Sequence, residues 1–196
     1  MVSRYQEVVA RIDAINQEDP TIVQVKGEDK PEALAYGIWV SDWVKYLNPE
    51  ASDALLIAAR GIHLLRWTIK RDTYPTGPAG YATWRQEVRQ LSADTLGHML
   101  HDMEYDRDVL DAIWALIARN NPEDADMQTL QDAIGLAFLE WQLNSFVAKY
   151  DTDKVIRALQ GTYARMSDKA QKLALDLEFS PNSREILERA LMGGDF

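Results

Sequence analysis

Runs of apolar residues at helical spacing, several of them bounded by proline, constrain this chain more than any other feature of its sequence. From residue 2 to about residue 17, Tyr5, Val8, Val9, Ile12 and Ile15 recur on one helix face, and Asp19-Pro20 ends the pattern. Lys30-Pro31 opens a second run, because proline suits the first helical turn, and Leu34, Ile38, Val40, Trp43, Val44 and Leu47 carry it to Asn48-Pro49. Ser52-Asp53 can cap a third helix, expected to continue through LLIAARGIHLLRW to about Ile69. The stretch 73–80, TYPTGPAG, has two prolines and two glycines and is expected to be an ordered functional loop. Further helices are expected over 81–103, 108–119, 124–150, 152–166, 168–177 and 183–191, with a break at Asn120-Asn121-Pro122 and a tail over 193–196. No alternating strand pattern competes. The expectation is an all-α protein, a single domain over 1–196 with roughly eight or nine helices.

Composition narrows the function classes. With 31 Asp and Glu against 21 Lys and Arg, the formal charge is -10, which opposes binding along a duplex backbone. Without cysteine there is no disulfide framework, thiolate metal site or cysteine nucleophile. The start of the chain lacks a signal-peptide pattern, and no segment holds the roughly 20 apolar residues of a membrane span. A cytoplasmic protein without membrane attachment is expected, and nothing in the sequence opposes a homo-oligomer. No GxSxG elbow, phosphate loop or Rossmann fingerprint is present.

Against that acidic background, residues 60–85 carry five Lys or Arg and one acid, Asp72, together with aromatic residues and glycines. Segregated positive charge of this kind points to an anionic ligand. Arg60, His63, Arg66 and Trp67 recur at three- and four-residue spacing, so a helix would place an imidazole beside two guanidinium groups. Arginine grips phosphate or carboxylate through paired hydrogen bonds, and an aromatic ring can stack on it or on a ligand. Arg71, Tyr74, Tyr81, Trp84 and Arg85 flank the glycine- and proline-bearing turns. The candidate ligand-binding set is therefore Arg60, Arg66, Trp67, Arg71, Tyr74, Tyr81, Trp84 and Arg85.

The ordered motifs IDAINQEDP, AARGIHLLRW, KRDTYPTGPAGYATWR, MQTLQDAIGLAFLEWQL and KYDTDKVIRALQGTYARMSDKAQKLAL resemble a family of bacterial and fungal domains of unknown function, some of whose members carry a glutamyl-tRNA-synthetase-like label. The resemblance covers nearly the whole chain and implies an HD-like helical fold, a class that binds metal through histidines and aspartates on several helices. It carries over His63, Arg66, Trp67, Arg71, Tyr74, Pro75, Gly80, Tyr81, Trp84, Arg85 and Asp132. The chain departs from the family pattern at Ile62, where Gln is usual, at Lys70, where Pro is usual, and at Gln131, which replaces a Glu. Most consequentially, Ser92 replaces a second histidine. His63 and Asp132 remain as implied ligands of a divalent metal, fewer than the three or four protein ligands usual for such a site.

A second arrangement lies further along the same helix, where Asp94, His98 and His101 recur at i, i+4 and i+7 and so share a stripe. Two histidines and a carboxylate can hold iron or zinc, although a solvated polar stripe has the same pattern. Asp132, in a mostly apolar run, either pairs with a cation or faces water beside Gln128 and Gln131. The sequence thus leads to a small phosphate-bearing anion as ligand. If the protein is an enzyme, it implies metal-dependent phosphoester hydrolysis, with Arg66, Arg71 and Arg85 neutralising phosphate. The alternatives are a binding module without catalysis and a helical protein-interaction surface.

Overall fold

The computed structural model describes residues 3–119 and 124–192, so the expected break at 120–122 and the tail over 193–196 lie outside the described residues. The fold is all-α: ten α-helical segments, two short 3-10 turns, one π turn and a single small hairpin among the described residues. The chain divides into two compact units, Met1–Met127 and Gln128–Phe196.

In the first unit, α1 (Arg4–Asn16) begins with a reciprocal cap: Gln6 N–H donates to the Ser3 hydroxyl, and Ser3 N–H donates to the Gln6 side chain. A hairpin of β1 (Ile22–Val25) and β2 (Glu28–Pro31) follows, antiparallel, with Ile22 opposite Pro31 and Val25 opposite Glu28. The expectation of helices alone missed it. The signal is the Lys26-Gly27 pair, whose φ angles of 53° and 85° make a tight two-residue turn matched to the twist of paired strands. The buried Asp19 then starts the next helix, its carboxylate accepting from the N–H groups of Thr21 and Ala33.

Helix α2 (Glu32–Leu47) packs on α3 (Asp53–Arg60), which also touches α1. Gly37 makes the first contact possible, since a Cβ there would meet the Arg60 carbonyl oxygen at 2.5 Å. α3 stops at Arg60, well short of the expected Ile69. Residues 61–65 form turns, and short 3-10 turns follow at Arg66–Thr68 and Arg71–Thr73. Gly61 ends the helix where Leu96 crosses within 2.3 Å of the position of a Cβ, so a larger residue would not fit. α4 (Pro78–Asp102) begins three residues before the expected Tyr81, with proline in its first turn, and packs along α5 (Arg107–Ala118). Leu55, Ile57, Leu64, Leu96, Leu100, Ile113 and Ile117 are fully buried here. Each such side chain stabilises the fold by about 1.5–3 kcal/mol before the entropy of ordering it is counted.

The helix α6 (Ala125–Ala137), which enters the second unit at Gln128, the π turn Phe138–Gln142 and α7 (Leu143–Lys149) continue one another without a break, as expected for 124–150. Counted as one rod, they bring the helices to nine. α8 (Thr152–Tyr163), α9 (Asp168–Leu175) and α10 (Pro181–Met192) complete the unit, with α10 packed on α7 and α8. Asp151 caps α8 and Ser167 caps α9. No helix among the described residues is long and apolar enough to cross a membrane.

Candidate functional site

The early end of α3 moves His63 out of a helix and into a turn. Leu65, two residues on, adopts φ 58° and ψ 14°, a left-handed conformation that costs a side-chain-bearing residue about 1 kcal/mol. With that reversal the 3-10 turn carrying Arg66 follows directly on the histidine. The His63 ring stacks on Tyr36 of α2, with centroids 4.0 Å apart and planes 12° from parallel. Trp39 packs edge-on against the same Tyr36 ring at 6.5 Å. Among the described residues, no hydrogen bond engages the His63 ring nitrogens or the Tyr36 hydroxyl.

Four arginines act on this stack. His63 is held well below its ordinary pKa of 6.5, first by desolvation and then by the charges of Arg66, Arg119, Arg85 and Arg89. Part of the residue's surface remains accessible, yet its dense surroundings let burial dominate. The imidazole is therefore neutral near pH 7. Tyr36, with 5% of its surface exposed, responds in the opposite sense. Burial raises its pKa above 10.0, outweighing the lowering by Arg119, Arg66 and Arg85, so the phenol keeps its proton.

The arginines come from separate elements. Arg66 lies in the 3-10 turn, Arg85 and Arg89 are one turn apart on α4, and Arg119 follows α5 in a left-handed conformation. The Arg66 guanidinium lies over the Trp84 ring at 4.8 Å, and that of Arg85 over Tyr81 at 5.5 Å. Tyr81 and Trp84 are themselves 5.7 Å apart, while the Trp84 indole N–H donates to the Ile69 carbonyl at 2.9 Å. Among the described residues, neither the Arg66 nor the Arg85 guanidinium has a hydrogen bond or an ion pair.

The remaining residues singled out in the sequence sit differently. Arg60 points to α1, where it grips the Asp13 carboxylate through two hydrogen bonds of 2.6 and 2.7 Å. Arg71 ties the loop, donating to the carbonyls of Tyr74 and Pro75 at 3.1 Å each, with its guanidinium 5.8 Å from the Tyr81 ring. Tyr74 donates to Glu87 at 2.5 Å, which raises the phenol's pKa. Gly80 is compulsory, because a Cβ would meet the Pro75 carbonyl oxygen at 2.0 Å. Trp67 is half-buried in the 3-10 turn. Tyr36, Arg89 and Arg119 are the members of the cluster that the sequence did not mark. Arg89 could have been found one turn beyond Arg85; Tyr36 and Arg119 are brought in by packing alone.

Ser92 is fully buried on α4, with its hydroxyl 2.9 Å from the Leu64 carbonyl and 3.0 Å from that of Val88. In the second unit, Asp132 is buried and engaged. One carboxylate oxygen accepts from Ser167 N–H and from the Gln128 amide, both at 2.8 Å, and the other accepts from the Ser167 hydroxyl at 2.5 Å. Asp94 accepts from Gln90 at 2.8 Å and from the Trp114 indole at 3.4 Å, whereas His98 and His101 are exposed. No group of three or more His, Asp or Glu suited to holding a metal occurs among the described residues. This donor set does not fit the divalent metal that the resemblance implies.

Two clefts, of about 240 and 130 Å³, are lined by none of the cluster residues. Fold and side chains together define an all-α protein in which neutral aromatic groups and arginines gather in the first unit. Residues 6–187 match the family described as "Domain of unknown function (DUF4202)", and the chain belongs to that family. That description names neither an activity nor an HD-like or synthetase-like kinship. No curated protein and no solved structure matches the chain.

Proposed function

We propose that the cluster around Tyr36 and His63 binds a small phosphate-bearing anion. One observation carries the reading: Arg66 and Arg85 are half-buried guanidinium groups without a hydrogen-bonded or ion-paired partner among the described residues. Withdrawing a cation from water without a counter-charge costs free energy. The chain has 31 acidic residues with which to offset that cost. Trp84 and Tyr81 compensate in part, since a guanidinium over an aromatic face gains about 0.5–1 kcal/mol at exposed sites. An ionised phosphate would supply the missing charge and accept the paired N–H groups that arginine offers. The surrounding acidity favours a small ligand over a nucleic-acid backbone.

Thermal unfolding at fixed ionic strength tests this directly. Phosphate and sugar phosphates are expected to raise the midpoint where chloride does not, because a ligand of the native state stabilises it. Arg66→Gln and Arg85→Gln should abolish the rise and Arg60→Gln should keep it; a rise that survives in both former variants overturns the site. Phosphate released from a monoester, with or without added divalent metal, would mark phosphoester hydrolysis instead of binding alone. Retention of a discrete protein partner by the native chain, but not by Arg85→Gln, would mark an interaction surface.

A further inference from the structure

We infer that the β1 edge of the hairpin is a self-association surface, where a second copy of the chain adds its own β1 antiparallel to the first. A hairpin of two strands has two outer edges, and an uncovered edge is a template for another strand. The two edges here differ. β2 carries Glu28, Asp29 and Lys30, with Glu28 and Lys30 paired at 3.2 Å, and ends in Pro31, which has no N–H to donate. Charge and proline are the ordinary means of blocking an edge. β1 has neither: its residues are Ile22, Val23, Gln24 and Val25, and Ile22 keeps 54% of its surface exposed.

The turn fixes which backbone groups face outward. In a two-residue turn of this hand the flanking residues, Val25 and Glu28, form a hydrogen-bonded pair, and the ladder alternates from there. Val23 and Lys30 therefore bond within the hairpin, whereas the N–H and C=O groups of Ile22 and Gln24 point away from β2. Apart from the ladder, no backbone hydrogen bond among the described residues engages residues 22–25. Such an edge is self-complementary under a two-fold axis. Ile22 of each copy can exchange hydrogen bonds with Gln24 of the other, and Val23 then meets its own counterpart on the axis. The exposed Ile22 falls diagonal to Ile22 of the second copy, within side-chain reach, while Val23 and Val25 keep to the half-buried face. Charge also favours this partner. A chain of formal charge -10 repels its copies over most of its surface, but residues 20–25 hold no charged side chain, so pairing sets none against its like.

Sedimentation equilibrium of the full chain, carried up to about 1 mM at fixed ionic strength, tests the pairing. The native chain should show a monomer–dimer equilibrium, weak because the paired segment is short, and added salt should tighten it by screening the net charge. Gln24→Pro removes an outward N–H without touching the ladder to β2, and should weaken the dimer by roughly tenfold or more. Ile22→Lys keeps every backbone group and places like charges across the axis, so it should weaken the dimer too; it keeps the test decisive if Gln24→Pro does not fold. Because the chain has no cysteine, Val23→Cys should yield a disulfide-linked dimer on mild oxidation and Gln24→Cys should not, since only residue 23 faces its own counterpart. A native chain still monomeric at about 1 mM overturns the pairing and leaves the edge to an extended peptide of another protein. A dimer that survives both Gln24→Pro and Ile22→Lys lies elsewhere on the molecule and overturns it equally. Cross-linking through Gln24→Cys in place of Val23→Cys overturns the register.

Discussion

Two polar centres, one in each unit, are built from similar chemistry and differ in closure. Around Asp132 every partner comes from the protein: Ser167 N–H, the Ser167 hydroxyl and the Gln128 amide occupy the carboxylate, and Ser167 also caps α9. Around Tyr36 and His63, charged and polar groups gather, but the Tyr36 hydroxyl and the Arg66 and Arg85 guanidinium groups lack such partners among the described residues. A closed network is explained by the stability of its own unit. An open network of one charge sign is better explained by something that it binds.

The largest effect should come from opening the closed centre. Asp132→Ala strands the donors of Ser167 and Gln128 and removes a buried acceptor, so it should cost about 3 kcal/mol in urea unfolding; a loss below about 1 kcal/mol would break the contrast. Gly80→Ala drives a methyl group into the Pro75 carbonyl and should cost about 2 kcal/mol by the same measurement. It distinguishes the rigid frame of the loop from the groups that the loop presents.

A paired comparison of arginines sharpens the contrast further. Arg60→Gln removes a double hydrogen bond to Asp13 from a partly buried pair and should cost about 1–2 kcal/mol. Arg66→Gln should change stability by less than about 0.5 kcal/mol while abolishing the response to phosphate. Equal losses in the two variants would show that Arg66 is structural.

The smallest expected effect is a pH slope. His63 has a folded pKa below its unfolded value of about 6.5, so the unfolded chain binds the proton first as pH falls. Its contribution is fully present above about pH 6.5 and is lost as pH falls from there towards the folded value. His63→Gln should flatten the slope of stability between about pH 6.5 and 5, read from denaturant midpoints. An unchanged slope would assign it to other groups.

How much of this was legible in the sequence depends on how local its cause is. Proline stops and apolar periodicity located most helices to within a few residues, because caps and helix faces are local properties. The hairpin is illegible by alternation because each strand is four residues long, too short for a period of two to emerge. The overlong third helix has a tertiary reason: Gly61 sits under Leu96, from α4, and the left-handed Leu65 reverses the chain. Arg60 and Arg66 look equivalent by spacing, yet one meets Asp13, 47 residues earlier, and the other meets Trp84. Charge segregation found the basic half of the cluster. Nothing local could bring in Tyr36 or Arg119.

The π turn at Phe138–Gln142 has a consequence for how the rod of α6 and α7 tolerates a change in length. In a regular α-helix, dropping one residue rotates everything beyond it by about 100° and would turn a buried stripe outward. A π turn already holds one residue more than α spacing needs. Deleting the exposed Glu140 should therefore restore ordinary spacing and leave Leu136 and Leu143, both fully buried, facing as they do now. The widest turn of the rod is the place where the chain can shorten without losing its phase.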